Sequence, residues 1–322
     1  MSTGTTDQGA VLSTAAAPPG GGARLAGARR RESLAAWLFS APGIILLTAF
    51  LVVPFGMALV SSFTNLRLLS PLKTRWIGFE NYTELFSDEV FRRAVLNNAV
   101  FVLVVVPVQT ALALLLAVLV NQRLRGMIVF RTIYFAPVVT VMAATATVWS
   151  LLYQPDDGLI NGVLKVVTFG TVHPDWLDSS STALLSVIIL SMWQGVGFQM
   201  VIILAGLQAI PRSLYEAADV DGASPWQIFR HITVPQLRNT LLFVATITTI
   251  LAFRLFDQVW AIPTLRGGPL DSTQTMMVQA VQQGWATGAI GRSSAIAVVF
   301  FLIVLTITLL SRLVIREDRE VK

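Results

Sequence analysis

The chain has 322 residues, of which 54% are hydrophobic and only 13% are charged. Soluble domains carry about 25% charged residues, so this composition excludes an ordinary soluble protein and indicates an integral membrane protein. The sequence contains no cysteine, which excludes disulfides, thiol nucleophiles and cysteine-based metal sites. The two histidines, His173 and His231, fall in loops that we place on opposite sides of the membrane, so we expect no metal centre.

The net charge of +5 raises the question of a nucleic-acid partner. The basic residues, however, flank the apolar runs and do not form a stripe with interleaved aromatic residues. Membrane topology explains this distribution better, so we expect membrane lipid, and no nucleic acid, around the chain.

Residues 1–32 are rich in Gly, Ala, Ser, Thr and Pro and end in the basic cluster Arg29–Arg31. Their apolar content is too low to form a core, which predicts a disordered cytoplasmic tail. A secretory signal peptide is the alternative. The apolar stretch that follows, from Leu34 to Val60, is longer than the apolar region of a signal peptide and lacks a clear Ala-x-Ala site, which favours a retained span.

Six apolar stretches are each long enough to cross a bilayer, which takes about 20 helical residues. The fifth is the least regular, because it contains two charged residues. The six predicted spans are Leu34–Ser62, Ala94–Val120, Thr132–Leu152, Ala183–Leu207, Thr240–Ala261 and Ser294–Leu313.

The basic residues decide the orientation of these spans. If the N-terminus lies inside, most of the 23 Lys and Arg residues fall in inner segments, as the positive-inside rule requires. The loop Tyr153–Thr182 carries four aspartates against one lysine, which fits an outer location. The sequence therefore predicts an all-α integral membrane protein with six transmembrane helices and both termini inside.

The first outer loop, Phe63–Arg93, is long and mixed in charge. Its segment Trp76–Tyr82 is typical of a structured turn that leads into an amphipathic helix on the membrane surface. We interpret its aromatic residues as interfacial anchors in preference to ligand contacts.

The stretch Glu216–Pro235 is polar and lies between two long apolar spans, on the predicted cytoplasmic side. Its local signals predict two short helices. The first follows Pro211 and ends at Gly222, which can adopt the left-handed conformation of a helix C-terminus. The second begins at Ser224 with a Ser-x-x-Gln capping box and a proline at its first position, and Pro235 limits it. An ordinary connector between spans is the alternative interpretation.

Motifs for catalysis are absent from the sequence. There is no G-x-x-x-x-G-K-[ST] phosphate-binding loop, no G-x-S-x-G and no H-E-x-x-H. Carboxylates are also rare inside the spans. We therefore predict that the chain is not an enzyme and has no cofactor or catalytic residue of its own.

The stretch Glu216–Pro235 resembles the EAA loop of ABC-transporter inner-membrane permeases, E-A-A-x-x-x-G followed after a fixed gap by I-x-L-P. The departure is Val234, which stands where the motif has leucine. In the family this loop forms a coupling helix that docks on an ATPase subunit. The matching docking residues are Glu216, Ala217, Ala218, Asp221, Gly222, Ala223, Ser224 and Pro225.

Further segments are similar to carbohydrate-importer permeases of the first-permease type found in maltose, lactose and glycerol-3-phosphate systems. They are Glu80–Tyr82, Asn121–Gly126, Phe130–Thr132, Ala205–Pro211, Asp221–Ser224 and Gly267–Pro269. The resemblance implies a type I importer permease fold, with a permease domain over 33–322, a core unit over about 92–313 and the coupling loop at 208–239.

The resemblance also implies an assembly in the bacterial plasma (inner) membrane. Its members would be this multi-pass chain, a second permease, two cytoplasmic ATPase subunits that bind the ATP, and an extracytoplasmic solute-binding protein. The solute would be a sugar or sugar-like molecule that passes by alternating access.

Arg254 and Asp257 lie inside the fifth predicted span, and an ionisable residue in a span is a functional hypothesis by default. Three residues apart, they are predicted to share one face of a helix. A mutually neutralising structural pair and a polar patch on the translocation cavity are both open interpretations. The resemblance favours the cavity, and the family's sugar contacts match Ser191, Gln194, Gly195, Phe198, Phe253, Arg254 and Asp257.

Two departures and two alternatives accompany this hypothesis. The family carries neutral amides where this chain has Arg254 and Asp257, so a phosphate or carboxylate group on the solute is a further option. Trp193 offers a stacking surface or plain packing. The alternatives are the same architecture importing amino acids, peptides or polyamines, and a channel or ion-driven secondary transporter, for which we find no internal repeat.

Overall fold

The computed structural model describes residues 36–70, 73–122 and 126–317. The predicted disordered tail, 1–32, lies outside the described residues. The described part of the chain is helical, and its strand-like pairing is an isolated bridge between Thr64 and Trp76. The chain divides into two compact units, one up to Met57 and one from Ala58 onward.

The helices of the described residues are, in chain order, α1 (Ala36–Ser61, with a π turn at Thr48–Val52), α2 (Glu80–Ser87), α3 (Glu89–Val120), α4 (Met127–Val139), α5 (Met142–Leu152), α6 (Leu159–Val167), α7 (Ala183–Ala209), α8 (Arg212–Val220), α9 (Pro225–Ile228), α10 (Val234–Gln236), α11 (Arg238–Phe253), α12 (Asp257–Trp260), α13 (Met276–Val281) and α14 (Ile290–Glu317). A π turn at Phe229–Thr233 joins α9 to α10, and another at Gln282–Ala286 follows α13. Short 3-10 turns lie at Pro263–Leu265 and Pro269–Asp271.

Five of the described segments are long and apolar enough to cross a membrane: α1, α3, α7, α11 with α12, and α14. The pair α4 and α5 makes a sixth if it counts as one bent span. These segments fall on the six predicted spans. The third predicted span, Thr132–Leu152, corresponds to two helices, α4 and α5, which meet at 101°.

Local sequence explains the bend between α4 and α5. Pro137 has no N–H to donate and its ring disfavours a continuous helix. The next four residues, 138–141, are all β-branched, which further lowers helix propensity. Thr140 and Val141 are extended, and the Thr140 hydroxyl donates to the Pro137 carbonyl at 2.6 Å.

The unit from Ala58 onward is built around α3, α7 and α11. One buried cluster joins Ala113 and Ala117 of α3 to Met200 and Ile203 of α7. Small residues permit this close approach of helices, as is usual between membrane spans. Gly197 is the extreme case, since a Cβ there would lie 2.0 Å from the Tyr134 carbonyl oxygen of α4.

The first outer loop contains the predicted aromatic turn. The Phe63 ring stacks on Trp76 and meets Phe79 edge-on, both at 5.3 Å between centroids. The side chain of Asn81, in the first turn of α2, donates to the carbonyls of Ser62 (2.7 Å) and Thr64 (2.9 Å). The turn is therefore structured as predicted, and its placement at the lipid interface remains a prediction.

We expect Gly197→Ala to destabilise the chain, because the added methyl group would overlap the Tyr134 carbonyl. Overpacking of this kind costs about 1–3 kcal/mol. The matched control is Gly162→Ala in α6, where a Cβ meets nothing within 4 Å. Thermal unfolding of the detergent-purified chain should show a lower midpoint for Gly197→Ala alone; equal midpoints for the two variants would contradict the packing argument.

Candidate functional site

The loop between α7 and α11 has two capped helices, as the sequence predicts. α8 begins after Pro211 and ends in a Schellman motif around Gly222, whose φ is +72°. The Ala223 N–H donates to Ala218 O at 3.0 Å and the Gly222 N–H donates to Asp219 O at 3.2 Å. These bonds occupy carbonyls that the helix end would otherwise leave free.

The second helix begins with the predicted capping box. The Gln227 N–H donates to the Ser224 hydroxyl at 3.4 Å, and the Ser224 N–H donates to the Gln227 side-chain oxygen at 2.7 Å. Pro225 stands at the first helical position, where a missing N–H costs nothing. The Schellman motif and the capping box thus fix the turn through hydrogen bonds between residues that are close in sequence.

Pro235 does not end the second helix, so that part of the prediction is wrong. The chain continues through the π turn at Phe229–Thr233 into α10, which contains Pro235. The Val234 N–H donates five residues back to Phe229 O, so the backbone has already left the α-helical register before the proline. A proline near the start of a turn lacks an N–H that would be unpaired anyway.

The predicted docking residues form an exposed surface. Glu216, Ala217, Asp221, Gly222, Ser224 and Pro225 are exposed, Ala223 is half-buried and Ala218 is buried. Within the described residues, Glu216 makes no ion pair. Apolar groups also face outward here: Val220 is 88% exposed and Trp226 is 66% exposed.

This exposed loop is fixed to the rest of the unit. The Tyr215 hydroxyl lies 3.2 Å from the Thr233 hydroxyl, which joins the two short helices. Leu237, immediately after α10, is fully buried in the cluster that contains Leu207 and Val244. The Trp226 ring stacks on Phe229 at 5.6 Å. A displacement of the loop would therefore move α7 and α11 with it.

A second candidate site is a cleft of about 470 Å³ between α3, α7 and the fifth span. It brings together six of the seven predicted solute contacts: Ser191, Gln194, Gly195, Phe198, Arg254 and Asp257. Phe253 is not among its lining residues and instead packs against a buried cluster with Met276 and Ile296. Trp193 also lies outside the lining, edge-on to Trp149 at 5.5 Å.

The fifth span is broken at the cleft, so Arg254 and Asp257 do not share the face of one helix as predicted. α11 ends at Phe253, and Phe256 has φ −144° and ψ −59°, outside the helical range. Arg254 is the C-cap of α11 and Asp257 is the first residue of α12. Both are exposed in the cleft, and the described residues contain no ion pair between them.

Sequence reasoning missed three buried polar residues of the cleft: Gln109, Gln199 and Thr248. The Gln199 side-chain N–H donates to the Thr248 hydroxyl at 2.6 Å. The side chain of Gln109 packs directly against Gly195. A Cβ atom added to Gly195 would lie 2.4 Å from the side-chain nitrogen of Gln109. An amide inside an apolar span was the available signal, since such a group is costly in a membrane.

Two oxygen atoms at the cleft are buried without a hydrogen-bond partner in the described residues: the Ser191 hydroxyl and the Gln199 carbonyl oxygen. A buried polar atom without a partner costs about 1–3 kcal/mol. The arrangement offers hydroxyl, amide, guanidinium and carboxylate groups beside the apolar ring of Phe198, and it provides no nucleophile paired with a base.

Residues 86–317 match the family described as "Binding-protein-dependent transport system inner membrane component". The lactose transport system permease protein of Rhizobium radiobacter is 32% identical, over 91% of this chain and 97% of its own. The trehalose/maltose transport system permease protein of Thermococcus litoralis is 31% identical, over 90% and 96%.

A chain in a solved bacterial ABC transporter involved in the import of the acidic polysaccharide alginate superposes with a TM-score of 0.78. The sequences are 23% identical, and the match covers 91% of this chain and 99% of that one. This likeness confirms the predicted permease fold.

We expect Ser224→Ala to loosen the second helix of the loop, because the hydroxyl that accepts from Gln227 is lost. The cost of losing such a cap is about 1 kcal/mol, which corresponds to roughly five-fold faster opening. Hydrogen exchange of the amides of residues 226–228 measures this opening. Ser213→Ala, at an exposed position early in α8, is the control; equal exchange in both variants would show that the capping box does not hold the turn.

Proposed function

The chain belongs to the family of inner membrane components of binding-protein-dependent transport systems, and from this premise we propose that it imports a saccharide. It is a multi-pass membrane protein and a transport subunit rather than an enzyme. The absence of catalytic motifs from its sequence predicts the same. The membership confirms the resemblance drawn from the EAA loop. In this proposal ATP is bound and hydrolysed by separate subunits, and the chain supplies half of the pathway.

The observation that carries the proposal is the polar cleft inside the spans. A saccharide offers hydroxyl groups around an apolar ring, and the cleft offers the matching groups. Ser191, Gln194 and Gln258 can hydrogen-bond hydroxyls, and Phe198 gives a flat apolar surface for a ring face. The names of the two relatives, which specify lactose and trehalose/maltose, support the same solute class.

The two charged residues of the cleft are compatible with a neutral solute. Arg254 stands at the C-terminus of α11, where the helix dipole places partial negative charge. Asp257 stands at the N-terminus of α12, where partial positive charge lies. Each charge is thereby offset in part by the backbone, and both remain free to bond hydroxyl groups on the solute.

The partners in this proposal are a second permease, two ATPase subunits on the cytoplasmic side and a solute-binding protein outside, in a bacterial plasma (inner) membrane. The cleft opens at the surface of this chain, and a second permease would close it. The exposed loop with Val220 and Trp226 suits docking, because apolar groups on a rigid polar surface are typical of a protein interface.

Transport would follow an alternating-access cycle. ATP binding brings the ATPase subunits together and moves the docked loop. The loop carries α7 and α11, whose side chains line the cleft, and the cleft opens outward to receive the solute. After hydrolysis the movement reverses and the solute leaves inward.

Replacing Gly222 by valine should abolish coupling between ATP hydrolysis and uptake, while the chain still inserts in the membrane. Valine at φ +72° is strained by about 1–2 kcal/mol and adds bulk to the docking surface. Gly126→Val is the matched control, because Gly126 is also an open left-handed glycine outside the loop. Uptake and membrane abundance are measured together; normal uptake by Gly222→Val would count against docking through this loop.

Replacing Arg254 or Asp257 by alanine should alter saccharide uptake by about ten-fold or more, since a hydrogen bond to a charged group contributes roughly 1.5–3 kcal/mol. Uptake kinetics of the assembled transporter measure this effect. Asp178→Ala, in an exposed outer turn, is the control. If both cleft variants transport with unchanged kinetics, the two charges have a purely structural role.

A further inference from the structure

The break in the fifth span is held from two sides by buried side chains. Backbone carbonyls at a helix end have no partner within the helix, and lipid cannot supply one. The Asn98 side chain of α3 donates to Phe253 O at 3.2 Å, and the Thr275 hydroxyl donates to Leu255 O at 3.0 Å. Asn98 and Thr275 are both fully buried.

The same two side chains also fix the start of α13. Asn98 accepts from the Met276 N–H at 3.0 Å, and the Thr275 hydroxyl accepts from the Val278 N–H at 3.2 Å. Each side chain therefore bridges the broken span and the N-terminus of α13, because it donates to a carbonyl of the break and accepts from an N–H of α13. Arg254 lies between the two anchored residues, so its backbone is fixed on both sides and its side chain is directed into the cleft.

The outer loop before α13 is attached to this bridge. The Asn97 side chain donates to the carbonyls of Asp271 (2.8 Å) and Gln274 (2.9 Å). Leu270 and Asp271 have φ of 55° and 57°, a strained left-handed conformation for residues other than glycine. Leu270, at the tip, is 81% exposed. The neighbours Asn97 and Asn98 thus connect an exposed strained loop to the break in the span.

We infer that Asn98 and Thr275 are positioning residues that clamp the break and aim Arg254 and Asp257 into the cleft, and that Asn97 makes the loop 267–275 move with this clamp. A protein that binds loop 267–275 from the outer side would thereby displace the side chains of Arg254 and Asp257 in the cleft. The inference rests on the proposed function for its purpose, because it assigns the cleft to the solute. Its geometry is independent of which solute passes.

The test uses cysteine labelling in the assembled transporter in membranes. The native chain contains no cysteine, so one introduced thiol reports without background from this chain. Gln258→Cys places the reporter in the cleft just after the break, and Leu251→Cys places a reference in the cleft before it. The measured quantity is the rate of reaction with a charged methanethiosulfonate reagent.

Thr275→Val removes the hydroxyl and should change the labelling rate at position 258 by at least about five-fold, as expected for a buried carbonyl that loses its partner. The rate at position 251 should stay within about two-fold, because α11 is intact there. Thr275→Ser keeps the hydroxyl and should restore the native rate. Thr246→Val, which removes a hydroxyl bonded to Leu242 O in the same span, should change neither rate.

Asn98→Ala repeats the test from the other side of the bridge, and it decides the matter if Thr275→Val fails to assemble. Asn97→Ala frees the loop without touching the break and should also change the rate at position 258. An unchanged rate there in the Thr275 and Asn98 variants, or equal changes at positions 251 and 258, would overturn the clamp. An unchanged rate in Asn97→Ala alone would overturn the link to the loop.

The labelling rates need no solute, so they separate this inference from the proposed function. If position 258 responds as expected while the transporter with the unsubstituted chain takes up no saccharide, the clamp stands and the solute class is wrong. If saccharide uptake is normal and the rates do not respond, the solute class stands and the clamp is wrong.

Discussion

A backbone break inside a membrane span leaves carbonyl groups that lipid cannot hydrogen-bond, and this constraint determines how the unit from Ala58 onward is built. Such a break survives only where protein groups replace the lost helical bonds. Here the Asn98 side chain donates a hydrogen bond to the Phe253 carbonyl, and the Thr275 hydroxyl donates one to the Leu255 carbonyl. The span can then end, turn and restart, and the turn presents charged residues to a cleft rather than to lipid.

The cytoplasmic loop achieves order by a different route. The hydrogen bonds of its Schellman motif at Gly222 and its capping box at Ser224 connect residues at most five apart. Local bonds of this kind keep a short polar segment rigid even though most of its surface is exposed. A rigid exposed element can pass on a displacement, whereas a mobile one would absorb it. In the proposed docking, the exposed side chains of Val220 and Trp226 supply apolar contact area.

The range of the interactions decided what could be predicted from the sequence. The length of the apolar stretches predicted the spans. Capping, glycine and proline residues a few positions apart predicted both short helices of the loop. The bend of the third span and the break of the fifth were not predicted as such. Pro137 and its β-branched neighbours did carry a local signal for the bend. The break depends on hydrogen bonds from Asn98 and Thr275. Asn98 lies on α3 and Thr275 lies just before α13, so neither is a sequence neighbour of Arg254.

The same reason explains which parts of the cleft were not predicted. Phe253, the last residue of α11, matches the family's motif but packs against a buried cluster. Gln109 and Thr248 line the cleft because α3, α7 and α11 pack together there. The sequence pattern of a single helix does not predict which helices pack against each other. The docking residues and the solute contacts remain predictions about function, since geometry places them without testing what they bind.

The most direct test of the account is saccharide uptake into proteoliposomes that hold this chain with a second permease and the ATPase subunits. Radiolabelled disaccharide is added outside with the solute-binding protein, and ATP is enclosed inside. The account predicts uptake only when ATP, the ATPase subunits and the binding protein are all present. Uptake by this chain without the ATPase subunits, or uptake that is indifferent to ATP, would contradict it.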